Sequence, residues 1–458
     1  MAFTALAHKI LTAAQTLDTF IETNNLPTPT TGPKPNLPPA QRFNTPQTST
    51  ALATLLHSTH LLSHLATGPA HAFLGNATGP LSDALTNSLI VEFDIASHVP
   101  LPEDAPEGFP MEKVARACGL LLEDFQLVVR YAMTNFVFTE TKPGWIGHTA
   151  ASRVLRENKV VKSLAVMGAK ELWTGSGKEV EVLRRAGAAG GRGTAVESAW
   201  ALANNASTPL FQHLDTHAPE RAKDFAFAME ALASLAPPSL TLNHYPWHTL
   251  PPNALIVDVG GGKGFVPRTL ASAFPHFRFI VQDLPGTVAA GRAQLPPEFA
   301  GRIEFQDHDF FKPQKRLEGR GDDGADVFFL RAIVHDWPDE AVVQILRNLI
   351  PGLKKGARVV VVDPHTPAPR YTSEASNDSA SGEAKKTSWL QDRLARGSNL
   401  RMKVFFNSHD REEGEWEGLF NRADPQGRFR VRVVEVYDRE EGNVEGQLLV
   451  AVEAIWEG

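Results

Sequence analysis

A single cysteine, Cys118, leaves the sequence unable to close an internal disulfide, which excludes a disulfide-stapled fold and fits a reducing compartment. Cys118 stands among apolar residues and reads as a core side chain rather than a reactive thiol. No stretch approaches the roughly 18 consecutive apolar residues of a membrane-spanning helix. The N-terminal residues space Leu6, Ile10, Leu11, Leu17 and Phe20 as one helical face, without the unbroken apolar run of a secretory signal. Basic charge is not in excess. The chain has 45 Lys and Arg against 52 Asp and Glu, a net −7 that attracts neither nucleic acid nor an anionic membrane. The expectation is a soluble, cytoplasmic chain without nucleic-acid or membrane partners. What is there suffices for two or three domains: 458 residues, 42 % of them hydrophobic, with no internal repeat.

Three segments interrupt the pattern. Residues 26–41 are a Pro-rich connector, and 186–193 read as a Gly- and Ala-rich joint. Residues 367–387, rich in Ser, Ala, Pro and charge, read as a disordered insert. A helical run passes through Leu52, Leu55, Leu56, Leu61, Leu62 and Leu65. From 111 to 157 the pattern predicts helices over Val114–Leu121 and Asp124–Thr134, then a hairpin from Phe136 that turns at Pro143-Gly144. That is the pattern of a winged helix. It raises DNA binding, but residues 111–160 hold seven Lys and Arg against five Asp and Glu, which is not a basic face. A packing or dimerisation role is the preferred reading.

From 252 onward strands alternate with helices: Leu255–Val259, Phe277–Gln282, Arg302–Phe305, Val327–Leu330 and Arg358–Val362. An amphipathic helix through Ala341, Val342, Ile345, Leu346, Leu349 and Ile350 precedes the last of these. A closing pair, Arg430–Val436 and Leu448–Ala454, predicts an antiparallel hairpin at or near one edge. The expected class is α/β, a doubly wound, largely parallel sheet with ligands at the carboxyl ends of its strands.

The strand ends carry the chemistry. The first runs through Asp258 into Gly260, Gly261, Gly262 and Gly264, a turn where bare backbone can approach a ligand. The spacing D-x-G-x-G-x-G favours S-adenosylmethionine, because the dinucleotide pattern needs a glycine where Phe265 stands. The second ends in Asp283, an acceptor for two ribose hydroxyls or else a helix cap. The third ends in Asp309-Phe310, a carboxylate for an exocyclic amine and a ring to stack on adenine. The fourth ends in Leu330-Arg331 through His335-Asp336-Trp337 to Glu340. His335 can take the proton of a phenol as an activated methyl is transferred. A general base needs an acceptor on its other ring nitrogen, and Asp363 or Asp410 could serve; the sequence does not choose.

These motifs, with Gln282-Asp283-Leu284-Pro285 and Val361-Val362-Asp363, resemble the plant and fungal small-molecule O-methyltransferases of the caffeic-acid type, most nearly the fungal enzymes of polyketide phenols. His148–Leu155 is similar to the end of that family's winged-helix dimerisation domain. Trp200–Phe211 and Arg221–Met229 are similar to its linking helices. The resemblance implies a Rossmann-like seven-stranded methyltransferase sheet at 252–458, a winged-helix dimerisation domain at 1–185, and linking helices at 194–251 that contribute to the acceptor pocket. It further implies S-adenosylmethionine as cofactor, bound by Asp258, Gly260, Gly261, Gly262, Asp283, Asp309, Phe310 and Arg331. His335 is then the base, flanked by Asp363 and Asp410, with substrate contacts at Trp337, Met402 and Met229, and the protomers are homodimers. Aspartate at 363 and 410 and arginine at 331 depart from the plant pattern of glutamate and lysine. The segment before Met402, Gly-Ser-Asn399-Leu-Arg, lacks the aspartate frequent near that point. The alternative is an enzyme that binds the cofactor on the same frame without transferring its methyl, such as a pericyclase, cyclase or dehydratase.

Overall fold

The structure is a computed structural model that describes residues 3–34, 42–43, 45–191, 193–234, 238–315, 324–366, 389–437 and 449–458. The insert read at 367–387 lies outside the described residues. The chain forms two compact units. One draws on Met1–Val180 and Trp200–Leu235, the other on Glu181–Ala199, Ala236–Arg439 and Gly446–Gly458.

The first unit opens with the helix Phe3–Thr23, which buries Leu6, Ala13, Leu17 and Ile21 along one face. The Leu-rich run that follows belongs to a longer helical stretch, Pro46–Glu92. Gly68, at φ 74 and ψ 162, kinks it, and Pro69 opens the next segment, where a missing N–H costs nothing. Helices Met111–Ala117 and Leu122–Thr134 precede short strands Thr139–Lys142 and Trp145–Gly147, and Phe109–Pro110 completes a three-stranded sheet. The hairpin begins later than the expected Phe136 because Phe136 and Phe138 hold left-handed φ of 59 and 65. Met111, Val114, Phe125, Val129, Phe138 and Ile146 form the core here, with Cys118 half-buried at its margin. A π-helical turn at Gly168–Leu172 places buried Glu171 where it accepts from Trp200 Nε1 (2.7 Å) and Arg221 Nε (2.9 Å). The joint expected from 186 is in part helix. Glu179–Ala189 is helical, and Gly190 at φ 70 ends it as Gly191 N donates to Ala186 O. Three alanines kept the helix going where the sequence suggested a break.

The second unit holds a seven-stranded sheet: β1 Leu255–Val259, β2 Arg278–Asp283, β3 Ile303–Asp307, β4 Ala325–Arg331, β5 Leu353–Pro364, β6 Phe429–Tyr437 and β7 Leu449–Trp456. The order is β3-β2-β1-β4-β5-β7-β6. The first five strands pair in parallel, and β7 runs antiparallel between β5 and β6. Period-two alternation explains why both faces are covered. Val257, Val259, Phe328, Leu330, Val359 and Val361 pack on one side with the helix Asp339–Leu349. Ile256, Val281, Val327, Phe329, Val360 and Val362 pack on the other with the helix Phe265–Ala273. Strand order reverses between β1 and β4, so the crevice at their carboxyl ends is where a ligand belongs. No helix among the described residues is long and apolar enough to cross a membrane.

Candidate active site

The glycine turn follows β1 directly. Gly260, Gly262 and Gly264 hold φ of 70, 59 and 76, and the N–H groups of Gly260 and Gly261 donate to Gln282 O at 2.8 and 3.1 Å. A Cβ on Gly261 would lie 2.6 Å from Asp258 Cγ and 2.9 Å from Val281 Cγ1, so the backbone sits directly on the Asp258 carboxylate. Gly262 faces open space, and its N–H donates to Asp283 Oδ2 at 2.9 Å. Asp283 Oδ1 accepts from Leu284 N at 2.7 Å. Each carboxylate oxygen keeps acceptor capacity for a diol.

Asp258 is 3 % exposed, and its Oδ2 has no hydrogen-bond partner among the described residues. Burial pushes its carboxyl up to about 7, against the pull of Arg331 and with a push from Asp283. The side chain of Arg331, at the end of β4, makes no hydrogen bond among the described residues, and burial lowers its proton affinity while Asp258 and Asp363 raise it. Buried polar groups are almost always satisfied. An orphaned carboxylate oxygen and an unbonded guanidinium beside a glycine cradle therefore fit a polar, charged cofactor.

The third strand end supplies the flank. Asp309 Oδ1 accepts from Phe311 N at 2.9 Å, and Phe310 lies beside Gly260. Trp337 meets both rings edge-on, Phe310 at 5.8 Å and Phe311 at 4.7 Å between centroids. At 9 % exposure Trp337 is a core residue that backs the Phe310 ring, and little of its surface is left for a substrate. An amide network that sequence reasoning missed fixes this loop. Gln282 and Gln314 exchange hydrogen bonds (3.0 and 2.6 Å), Gln282 reaches Gln306 (2.8 Å), and Asn348 donates to Phe310 O (3.1 Å). Glutamines carry no local motif, so their pairing is visible only once the strands are side by side.

His335 follows β4 in a 3₁₀ turn, Val334–Asp336. Its Nδ1 lies 3.3 Å from Asp410 Oδ1, and its Nε2 lies 3.5 Å from Asp336 Oδ1. The alternatives left open by sequence now separate. Asp410 faces the ring, whereas Asp363 accepts from the main-chain N–H of Ile333 (3.2 Å) and His335 (2.8 Å). Burial alone would depress the imidazolium, but Asp336, the Asp410 hydrogen bond and Asp363 outweigh it and push the ring up to about 9. Asp336 is itself held up, first by burial and then by its acidic neighbours against the pull of His335. Met402 lies half-buried on the helix Trp389–Phe406. Met229 lies half-buried on the helix Pro219–Ser234 of the first unit. Among the described residues no group of three side chains could hold a metal ion.

A sheet of this order, with a glycine turn at its switch point and a carboxylate ending the second strand, is a doubly wound α/β frame that binds its cofactor at the carboxyl ends of the strands. Residues 197–424 match the family described as an O-methyltransferase domain. The O-methyltransferase of the grayanic acid biosynthesis cluster of Cladonia grayi is 31 % identical, over 99 % of this chain and 87 % of its own length. A chlorophenol O-methyltransferase of Trichoderma longibrachiatum is 32 % identical, over 82 % of this chain and 74 % of its own. The chain belongs to the O-methyltransferase family and uses S-adenosylmethionine. Among solved structures, OxaC in complex with SAH and oxaline shares the fold at a TM-score of 0.68 and 17 % identity, over 98 % of this chain and all of that one. A pericyclic reaction enzyme shares it at 0.63 and 20 % identity, over 92 % of this chain and 96 % of that one.

Proposed function

We propose that the chain methylates a phenolic hydroxyl of a small fungal secondary metabolite of the polyketide type, with His335 as general base. The observation that carries this reading is the imidazole between Asp410 and Asp336 at the crevice of the sheet. S-adenosylmethionine supplies a methyl already activated by its sulfonium charge. The glycine turn, Asp258 and Arg331 would hold the polar end of that cofactor, Asp283 its ribose, and Asp309 and Phe310 its adenine. The chain's remaining task is the proton. A free imidazole near 6.5 is a poor match for a phenol near 10, and the carboxylates about His335 close most of that gap. Asp410 fixes Nδ1, which leaves Nε2 to receive the phenolic proton, and Asp336 on that edge stabilises the imidazolium. The name of the Cladonia relative connects it with a biosynthesis cluster, and that of the Trichoderma relative with chlorophenol, which supports a phenolic acceptor.

The test is transfer of labelled methyl from S-adenosylmethionine to a panel of polyketide phenols. Label recovered as an aryl methyl ether is the expected result. Label that stays on a tightly bound cofactor with every acceptor would overturn the reading and favour the non-methylating alternative, for which the pericyclase likeness is one of fold alone.

We infer further that two protomers pair through the helical first unit, and that 1–185, 194–251 and 252–458 act as dimerisation, linking and catalytic segments, with Met229 and Met402 toward the acceptor. Exposed apolar side chains support the pairing: Phe73 and Leu127 are each 72 % exposed, and Leu74, Leu81 and Leu121 are exposed as well. Sedimentation equilibrium should return twice the 49.9 kDa chain mass, and Leu127→Asp should shift the population toward monomer. A monomer at micromolar concentration would refute it.

A further inference from the structure

The turn that carries His335 is strained, and buried charges hold its main chain from two sides. Ala332 sits at φ 53, a region that a residue with a Cβ rarely enters, and Ile333 follows at φ −117 and ψ −51. The exposed dipoles of such a turn need partners. Its donors, Ile333 N and His335 N, both go to the Asp363 carboxylate. Its acceptors go to Arg411: Nη1 donates to Val334 O at 3.0 Å and Nη2 to Trp337 O at 3.0 Å. Ser408 Oγ adds a donor to Trp337 O at 2.7 Å. Asp363 and Arg411 are each 1 % exposed, and Asp339 anchors Arg411 Nη2 from its half-exposed position at 2.7 Å. Neither is bonded to the imidazole, whose nitrogens face Asp410 and Asp336.

We propose that Asp363 and Arg411 form a paired backbone clamp, the carboxylate gripping the N–H groups and the guanidinium the C=O groups of the turn, which places the His335 ring without touching it. The inference rests on His335 as the base and assigns both residues a positioning role. The geometry of each group suits its half. Two carboxylate oxygens reach two N–H groups two residues apart. A planar fork with two Nη atoms reaches two carbonyls three residues apart, which a lysine ammonium on a flexible stem does not. The pair also brings opposite charges into the interior together, and a buried charge without a partner is strongly disfavoured.

The test uses the full chain with Arg411→Lys, which keeps the charge and loses the fork, with Asp363→Asn, with both, and with Asp339→Asn, which loosens Arg411 from a half-exposed position. The first readout needs no acceptor. It is the ¹³Cε1 NMR signal of His335 in ¹³C-histidine protein, assigned by its loss in His335→Gln. The clamp requires that signal to broaden or split in Arg411→Lys while its titration midpoint stays near that of the wild type. In turnover, Arg411→Lys should lower kcat about 100-fold with acceptor KM and cofactor Kd within about threefold, the scale of a misplaced catalytic group. The double variant should be within about threefold of the worse single, because two halves of one device do not add. An unchanged His335 signal and kcat in Arg411→Lys would overturn the clamp. Multiplicative losses would do the same, as would a fall in Tm with kcat per folded molecule unchanged. If Arg411→Lys fails to fold, Asp339→Asn decides, and a wild-type signal and kcat there overturn it. Wild-type protein that transfers no label defeats the assignment of the reaction, and the NMR arm still judges the clamp.

Discussion

His335→Ala is expected to lower kcat by about 10²–10⁴-fold, the usual contribution of a positioned general base, with the Kd for S-adenosylmethionine within a few-fold of wild type. The cofactor affinity survives because alanine keeps the main-chain N–H that donates to Asp363, so the turn beside the glycine cradle retains that hydrogen bond. The pH dependence carries the sharper signature. His335 acts only after losing a proton, and its environment holds that proton up to about 9. Wild-type kcat at saturating cofactor should therefore rise about tenfold per pH unit on the acid side. The midpoint should lie well above the ordinary histidine value of 6.5. The alanine variant should lose that limb. Single-turnover transfer from pH 6 to 10, beside calorimetric cofactor binding, measures both. A flat wild-type profile, or a variant with more than about a tenth of wild-type kcat, would remove His335 from the role.

Gly261→Ala should act on the cofactor instead. The new Cβ would press into the Asp258 carboxylate and Val281, both buried and backed by the sheet, so neither can swing aside into solvent. Overpacking of this kind costs about 1–3 kcal/mol, and any part that falls on the bound state weakens binding tenfold per 1.4 kcal/mol. The expected result is a cofactor Kd raised about 10–100-fold with a modest fall in Tm. Gly262→Ala offers the contrast, since its Cβ meets nothing within 4 Å and its difficulty is the φ of 59 alone. Equal cofactor affinities in wild type and Gly261→Ala would show that the carboxylate beneath the turn plays no part in binding.

How far the sequence reached differs by level. The parallel strands were legible because each is a short apolar run with a chemical residue at its end, as β1 shows with Asp258 and the glycines. The helix Asp339–Leu349 was legible from its spacing alone. Local conformation defeated the pattern elsewhere. Left-handed Phe136 and Phe138 delay the hairpin, and the helical run read through Leu65 continues past a bend at Gly68-Pro69. In the site, side chains with a motif were found and those defined by pairing were not. His335 was visible in its run, whereas the choice between Asp363 and Asp410 depends on which strand end lies above which turn. The Gln282–Gln314 exchange and the grip of Arg411 on Val334 and Trp337 join residues 32 and more than 70 positions apart, distances no local pattern spans.

The placement of β7 between β5 and β6 bears on how the enzyme is made. β7 is the last of the seven strands to leave the ribosome, yet its Val450, Ala451, Val452 and Ala454 are fully buried at the middle of one half of the sheet. Until it arrives, β5 presents an unpaired, Val-rich edge, and β6 has no strand to join. An open apolar edge of that kind invites pairing with other nascent chains. Heterologous production should therefore depend on chaperone supply and on slow synthesis more than on the stability of the finished fold.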